Sequence, residues 1–89
     1  MSALRKSARG KTCQVRLHSI CNHNPETTVL AHLRLPGTCG TGTKPHDLIG
    51  VRACSSCHDA IGDGRMEYAP EIIQAWGRTI TVYAQEGLI

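Results

Sequence analysis

The sequence is poor in the large aromatic residues that usually fill a protein core. It contains no phenylalanine, and its aromatic residues are Tyr68, Trp76 and Tyr83. A chain of 89 residues buries only about 60 to 65% of the surface that it exposes when unfolded. We therefore expect a single small domain that needs a cross-link or a bound metal in addition to its apolar core.

Long apolar runs are missing as well. No stretch reaches the roughly 20 apolar residues that span a bilayer. No apolar segment follows the basic start MSALRKSARGK, as one would in a signal peptide. These absences exclude a membrane-spanning segment in this sequence, and they predict a cytoplasmic protein without a membrane partner.

Cysteine and histidine are abundant, with five residues of each. In a reducing compartment, an odd number of cysteines favours metal ligands over disulfides. The stretch CSSCH at 54–58 fits two kinds of site, since Cys-x-x-Cys-His attaches a c-type haem and also forms half of a zinc site. Haem attachment needs export and a well-separated axial ligand, whereas Met66 lies only eight residues beyond His58. We therefore expect zinc and no haem.

A tetrahedral zinc site needs two ligands besides the cysteine pair in CSSCH. The best candidates flank a short knuckle just before the first predicted strand, whereas the CSSCH pair follows the second strand. The four predicted ligands of the structural zinc are Cys13, Cys21, Cys54 and Cys57. His18 or His23 is an alternative to one of these cysteines, and Cys39, in the glycine-rich loop, is left out. A zinc in this place ties together the open ends of a hairpin and contributes about 10 kcal/mol.

Turn residues and apolar periodicity predict the order of the elements. Clusters of glycine, proline and polar residues bound two β-branched stretches, residues 27–35 and 48–53, which we expect to pair as a hairpin. A short helix begins at Ser55, with that serine as its cap, and a longer helix has Pro70 in its first turn. The apolar stripe of the longer helix comprises Ile72, Ile73, Trp76, Ile80 and Tyr83. The single domain, residues 1–89, thus divides into a basic arm (1–11), a zinc-bound ββα core (12–65) and a C-terminal helix (66–89).

Positive charge is concentrated in the first part of the chain. Residues 1–52 contain eight Lys or Arg and two acids, whereas residues 53–89 contain two Arg and five acids. A basic surface of this kind favours a polyanion such as DNA, whose phosphates attract each added cation. For the arm alone, a solvated basic tail explains the charge equally well. The predicted DNA-contacting residues are Arg5, Lys6, Arg34, Lys44 and Arg52.

The spacing of these motifs resembles a known family. A strand ending in Ala31-His32, a returning strand and CSSCH at the start of a helix, with a cysteine pair upstream, is similar to the HNH (ββα-metal) nucleases. The longer string from LRKSARGKTCQVRLHSIC through ACSSCHDAI, residues 4–61, also resembles the small YbcO-type proteins of lambdoid prophages, which are regarded as nucleases. The resemblance implies an α+β fold class: a small zinc-stabilised ββα-metal domain, HNH-like and treble-clef-like, with a C-terminal helix.

The resemblance also implies an activity and the residues that perform it. His32 would be the general base, which takes a proton from the water that attacks a DNA phosphodiester, and His58 would be a ligand of the catalytic metal, Mg²⁺ or Mn²⁺. The DNA would be that of a phage or prophage, with phage recombination proteins as partners. Taken alone, a histidine in an apolar strand is more often a core residue, but its pairing with His58 favours the catalytic interpretation.

One position departs from the nuclease pattern. In many HNH nucleases the residue before the base is a metal-binding aspartate, but here it is Ala31. Asp47 is the candidate for the missing metal ligand or for the group that orients His32, and a solvated loop acid is the alternative. Asp59 and Asp63 are weaker candidates. Without such an acid, the scaffold predicts a non-catalytic zinc module that binds DNA or a partner protein.

Overall fold

The computed structural model describes residues 3–40, 42–62 and 64–89. The helices are α1 (Ala3–Ser7), α2 (Ser55–Ile61) and α3 (Ala69–Gln85), the strands are β1 (Val29–His32) and β2 (Gly50–Ala53), and 3₁₀ turns cover Pro25–Thr27 and Met66–Tyr68. A small α+β fold with a two-stranded sheet and a C-terminal helix is therefore confirmed. No helix in these described ranges has the length and apolar character needed to cross a membrane.

The two strands form the predicted antiparallel hairpin, but each is shorter than expected. They are joined over four residue pairs, which end with His32 opposite Gly50. The first strand cannot begin at Thr27, because Asn24 caps a 3₁₀ turn there through its side-chain oxygen. Gly50 is needed at its position, since a Cβ there would lie 2.9 Å from the carbonyl oxygen of Ala31.

Both predicted helices are present, although one cap differs from expectation. α2 begins at Ser55, but its cap is Cys54, whose sulfur accepts a hydrogen bond from the backbone N–H of Cys57 at 3.4 Å. α3 has Pro70 in its first turn, as predicted, and the chain leaves the helix at Gly87 with a φ of 74°. The thiol of Cys54 therefore starts a helix and also belongs to the cysteine pair of CSSCH.

The apolar core lies between the hairpin, α2 and α3 and is built from aliphatic side chains. Its buried members include three cysteines as well as Leu33, Val51, Ile61, Ile72 and Ala75. Ile73, part of the predicted stripe, is 67% exposed, because it lies one residue, or about 100°, from the buried Ile72. Trp76 is half-buried, and its indole Nε1 donates to the carbonyl oxygen of Leu48 at 2.8 Å. This bond anchors α3 beside the turn that precedes β2.

The prediction that Arg52 contacts DNA is wrong, because this side chain is buried and already bound. It is 1% exposed, and its two terminal nitrogens donate to the two carboxylate oxygens of Glu86 at 2.7 and 2.8 Å. It also donates to the hydroxyl of Ser7 at 3.0 Å, and it lies 5.0 Å from the centre of the Tyr83 ring. Arg52 therefore joins β2 to α1 and to the end of α3, and it is not available to a phosphate.

We expect Glu86→Gln to lower the free energy of unfolding by about 3 kcal/mol, because it leaves the guanidinium of Arg52 buried without a counter-charge. The effect depends on pH, since hydrogen bonds from Arg52 lower the pKa of the Glu86 carboxyl. The stabilisation is complete above the unfolded carboxyl pKa of about 4.3 and is lost as the pH falls through the lower, folded-state pKa. Urea denaturation at neutral pH and in acid measures both effects.

Glu67→Gln is the matched control for this variant, because Glu67 forms an exposed ion pair with Arg65 at 3.9 Å. An exposed pair of this length contributes less than about 1 kcal/mol, so the control should unfold at nearly the wild-type urea concentration. Equal losses of stability in the two variants would contradict the role assigned to the buried pair.

Candidate active site and metal centre

Four cysteines from distant parts of the chain meet at the open end of the hairpin. The sulfur atoms of Cys13, Cys21, Cys54 and Cys57 all lie within 4.8 Å of one another. A tetrahedral zinc with Zn–S bonds of about 2.3 Å places its sulfurs about 3.8 Å apart, and the sulfurs of Cys21 and Cys54 are 3.8 Å apart. All five cysteines are free thiols. The cluster therefore fits a metal such as zinc, and it brings together the four residues predicted as ligands.

A tightly turned knuckle, residues 13–23, carries the first two cysteines of the cluster. Three of its residues other than glycine have a positive φ, namely Arg16, Ser19 and His23. This left-handed conformation costs roughly 1–2 kcal/mol per residue, so the knuckle needs support. Backbone hydrogen bonds supply part of it, from Gln14 to the carbonyl of Arg52 at 2.8 Å and from Cys21 to that of Leu17 at 2.9 Å. A metal held by the four cysteines would stabilise the knuckle further.

The thiols of Cys21, Cys54 and Cys57 differ in how readily they lose a proton. Burial raises the pKa of the Cys57 thiol and that of the Cys21 thiol. Burial also opposes ionisation of Cys54, but backbone N–H groups of Cys57 and Asn22 donate to its sulfur, and its pKa is lowered to about 7. Of these three thiols, Cys54 therefore ionises most readily. The thiols of Cys21 and Cys57 lose their protons when a cation compensates the charge, so metal binding would release protons.

The alternative ligands lie outside the group of four cysteines, although His23 contacts one of its members. The ring Nδ1 of His23 lies 3.7 Å from the sulfur of Cys21 at an exposed edge, and His18 is also exposed. Cys39 is half-buried in the loop that joins the strands, with its sulfur 3.8 Å from the carbonyl oxygen of Leu35. In the described part of the chain, neither histidine nor Cys39 joins the group of four.

A cleft of about 390 Å³ brings the two predicted catalytic histidines together. His32 comes from the end of β1, and His58 comes from the first turn of α2. Cys57 belongs to the cysteine cluster, and the next residue on a helix points about 100° away from it. His58 therefore faces the cleft instead of the cluster. The other cleft-lining residues are Arg5, Val29, Leu30, Arg34, Lys44 and Pro45.

Asp47 binds His32 directly. Its carboxylate Oδ1 lies 2.7 Å from the ring Nε2, and the two side chains are 21% and 15% exposed. In a neutral imidazole, a proton on Nε2 satisfies the carboxylate and leaves the lone pair on Nδ1. A turn holds the acid in place, with His46 Nδ1 accepting from the backbone N–H of Leu48 at 3.0 Å. Of the two roles predicted for Asp47, this geometry fits the one that orients His32.

Neither position 31 nor Asp59 brings a carboxylate to this cleft. Ala31 lies on the opposite face of β1 and is fully buried, so a side chain at this position points into the core. Asp59 is exposed on α2 and is not among the described residues that line the cleft. Asp63 lies outside the described residues. Asp47, in the loop before β2, therefore supplies the carboxylate beside His32.

Comparison with known proteins identifies the family. A family model described as "Putative nuclease YbcO" matches residues 2–87. The chain belongs to the YbcO family. Proteins named "Putative nuclease YbcO" from Escherichia coli (strain K12) and "Putative nuclease ybcO" from Enterobacteria phage 82 are each 54% identical to it over 95 residues, with 100% of this chain and 98% of each relative covered.

A solved structure resembles this YbcO-family fold closely. It is described as "Structure of a putative bacteriophage protein from Escherichia coli str. K-12 substr. MG1655". Its TM-score to this chain is 0.76 at 42% sequence identity, and the match covers 96% of this chain and 100% of the other. The YbcO relatives thus carry the name "Putative nuclease", and a phage protein is among them.

The basic residues of this YbcO-family chain are not equally close to the histidines. Those that line the cleft are Arg5, Arg34 and Lys44. Arg34 is held by a hydrogen bond to the carbonyl oxygen of Gly40 at 2.9 Å, whereas Lys6 is exposed on α1 and does not line the cleft. Arg9 lines an adjoining cavity. The distribution of charge along the sequence does not distinguish Arg9 from the other basic residues of the arm. The only signal for Arg9 in the sequence is its position four residues after Arg5, a spacing that places two side chains on one side of a helical turn.

Proposed function

We propose that this YbcO-family protein is a metal-dependent endonuclease of the HNH type, which hydrolyses DNA phosphodiester bonds in the processing or recombination of phage DNA. The observation that carries the proposal is the 2.7 Å hydrogen bond between Asp47 and His32. The same histidine lines a cleft together with His58. The names of the relatives and the cluster of four cysteines support it.

His32 is the general base in this mechanism. Because the Asp47 carboxylate bonds to Nε2 of His32, Nδ1 of the same ring takes a proton from water while the water oxygen forms a bond to phosphorus. The bond between phosphorus and the 3′ oxygen breaks on the opposite side, and the leaving oxygen takes a proton from solvent. The Asp47 carboxylate stabilises the imidazolium that forms, because it lies 2.7 Å from the ring.

His58 is the residue that would hold the catalytic metal. A bound Mg²⁺ or Mn²⁺ supplies positive charge to the phosphate oxygens. The described lining of the cleft contains no carboxylate, and the nearby Asp47 carboxylate is bonded to His32. A histidine ligand suits Mn²⁺, whereas Mg²⁺, which prefers oxygen ligands, would take most of its shell from phosphate oxygens and water. We infer a weakly held, exchangeable ion, in contrast to the structural zinc of the cysteine cluster.

The cysteine cluster supports the catalytic cleft. Cys57 is followed directly by His58, and Cys54 directly follows β2. A zinc bound by the four thiols would therefore fix the start of α2 against the hairpin that carries His32. In this way it would set the separation between the two catalytic histidines.

Positive side chains around the cleft would hold the DNA backbone. Arg5, Arg34 and Lys44 line it, and each can neutralise a phosphate. Contacts to phosphates carry no base information, so we infer a weak sequence preference. Because such contacts release counterions, binding should weaken steeply as the salt concentration rises.

A non-catalytic zinc module that binds DNA or a phage recombination protein is the second candidate. One observation favours it, the buried position of Ala31, since the cleft lacks the aspartate that precedes the base in many HNH nucleases. Both candidates predict a bound zinc and a basic DNA-binding surface. A cleavage assay therefore separates them, and a binding assay does not.

Nicking of supercoiled plasmid tests the proposed function. We expect zinc-loaded wild type to nick the plasmid when Mg²⁺ or Mn²⁺ is added. Asp47→Asn should be about 10- to 100-fold slower, because an amide can donate to Nε2 and shift the ring proton to Nδ1. The rate of conversion of supercoiled into nicked plasmid measures both effects.

Asp59→Asn is the control for this assay, because Asp59 is an exposed acid that does not line the cleft. It should cut at the wild-type rate. If the two aspartate variants cut equally fast, Asp47 has no part in the mechanism. If wild type binds the plasmid and never nicks it with either ion, the enzyme hypothesis fails and the second candidate remains.

A further inference from the structure

The catalytic cleft continues beyond the two histidines. A second cavity of about 390 Å³ adjoins it and shares three lining residues with it, Arg5, Val29 and Leu30. The rest of its lining comes from the arm, the first 3₁₀ turn and the start of α2, namely Arg9, Glu26, Thr27, Thr28 and Ser55. The two cavities meet at these three shared residues, and we call them together the groove.

The second half of the groove has the chemistry of an anion site. Arg9 is 80% exposed, and its Nε lies 3.8 Å from a carboxylate oxygen of Glu26. An exposed ion pair of this length contributes little to stability, so a bound anion can replace the carboxylate at small cost. A phosphate accepts parallel, charge-assisted hydrogen bonds from the arginine fork, and these are stronger than such a pair.

Two hydroxyl groups belong to the same cavity. Thr27 Oγ1 accepts from the backbone N–H of Ser55 at 3.2 Å, which ties the 3₁₀ turn to the start of α2. Thr28 is 1% exposed, and its hydroxyl oxygen is buried with no hydrogen-bond partner among the described residues. Buried polar groups are rarely left in this state. Thr28 also lines the cavity, so a hydroxyl without a described partner lies in the wall of this site.

We propose that the second half of the groove binds a backbone phosphate that flanks the scissile phosphate, with Arg5 and Arg9 as its cations. Without DNA, Glu26 forms an ion pair with Arg9, and the phosphate replaces Glu26 when DNA binds. Val29, which is 41% exposed and lines both halves, lies against the intervening deoxyribose. The inference rests on the proposed function, because it places the flanking strand relative to His32. The substrate is thus a DNA strand with at least one further phosphate on the side of the arm.

DNA affinity of the zinc-loaded full chain tests this subsite. Fluorescence anisotropy with a labelled DNA duplex, in the absence of added Mg²⁺, gives the Kd at several salt concentrations. We expect Arg9→Ala to raise the Kd about 5-fold and to reduce the slope of log Kd against log salt by about 1. Glu26→Gln removes the competing carboxylate and should lower the Kd by about 2- to 5-fold.

Arg65→Ala is the matched control for the subsite, because Arg65 also forms a long, exposed ion pair, with Glu67 at 3.9 Å, and does not line the groove. Its Kd and salt slope should equal those of wild type. In the nicking assay, Arg9→Ala should act on KM rather than on kcat, as a residue that binds DNA away from the reacting bond does.

The outcomes separate a failure of the subsite from a failure of the proposed function. If wild type binds and nicks DNA while Arg9→Ala and Arg65→Ala have equal Kd and KM, the subsite is wrong and the nuclease stands. If wild type binds without nicking and Arg9→Ala weakens binding, the subsite stands on a non-catalytic module. If wild type neither binds nor nicks DNA, both proposals fail.

Discussion

Replacing His32 with alanine should slow plasmid nicking by about 10² to 10⁴ fold. The imidazole is held by Asp47 at 2.7 Å and is 15% exposed, and in the proposed mechanism it takes a proton from the attacking water. Alanine leaves the basic side chains of the cleft in place, and the Kd for DNA should therefore change little. The loss is expected in kcat, which single-turnover nicking at saturating protein measures directly.

A double variant tests whether Asp47 acts through His32. If the carboxylate only orients the imidazole and stabilises its charged form, Asp47→Asn has nothing further to remove once the histidine is absent. The variant that carries both His32→Ala and Asp47→Asn should then cut as slowly as His32→Ala alone. A rate reduced by the product of the two single effects would give Asp47 an independent task, such as holding the catalytic metal.

The fold has to be intact in these variants for the comparison to hold. His32→Ala removes the partner that lies 2.7 Å from the Asp47 carboxylate, so circular dichroism and zinc content should be measured alongside the rates. His18→Ala, at an exposed histidine of the knuckle, is the control and should cut as wild type does. Equal nicking by wild type and His32→Ala would contradict the general-base mechanism.

Cys54→Ser should release the metal and unfold the domain. We expect metal analysis to find one tightly bound zinc in each wild-type chain. A structural zinc contributes about 10 kcal/mol or more, which is comparable with the whole stability of a typical domain, about 5 to 15 kcal/mol. The substitution isolates the ligand role, because serine is a good helix cap and can still accept the hydrogen bond that Cys54 receives from Cys57. Loss of the cap therefore cannot explain the unfolding.

Cys39→Ser is the matched control for the zinc site, because Cys39 lies in the loop between the strands and outside the cluster. This variant should keep its zinc, its circular dichroism spectrum and its cooperative unfolding. If Cys54→Ser also keeps zinc and fold, the set of four ligands is wrong. If both variants lose zinc, Cys39 takes part in metal binding as well.

The cysteine cluster and the helices can be predicted from the sequence because their signals are local. Cys54 and Cys57 share one helical turn, and Cys13 and Cys21 share one knuckle, so only the meeting of the two pairs depends on the hairpin. Pro70 marks the start of the long helix by its own backbone geometry. The structure brings these elements together as predicted.

The roles of Arg52 and Asp47 cannot be predicted in the same way, because their partners are set by the tertiary fold. Glu86 lies 34 residues after Arg52, at the end of a helix whose position depends on the whole core. Nothing next to Arg52 in the sequence distinguishes a buried arginine from one that binds phosphate. Asp47 lies 15 residues after His32, and only the path of the loop decides whether the acid meets the ring or a metal.

The direct succession of Cys57 and His58 in the chain would link the lifetime of the proposed activity to the retention of zinc. In the proposed nuclease, a chelator that removed the zinc would release the start of α2, and His58 would move with it. Nicking would then decay at the rate at which zinc leaves, and not at the rate at which the catalytic ion exchanges. We would expect recovery of the activity to require the metals in a fixed order, with zinc returned before Mg²⁺ or Mn²⁺.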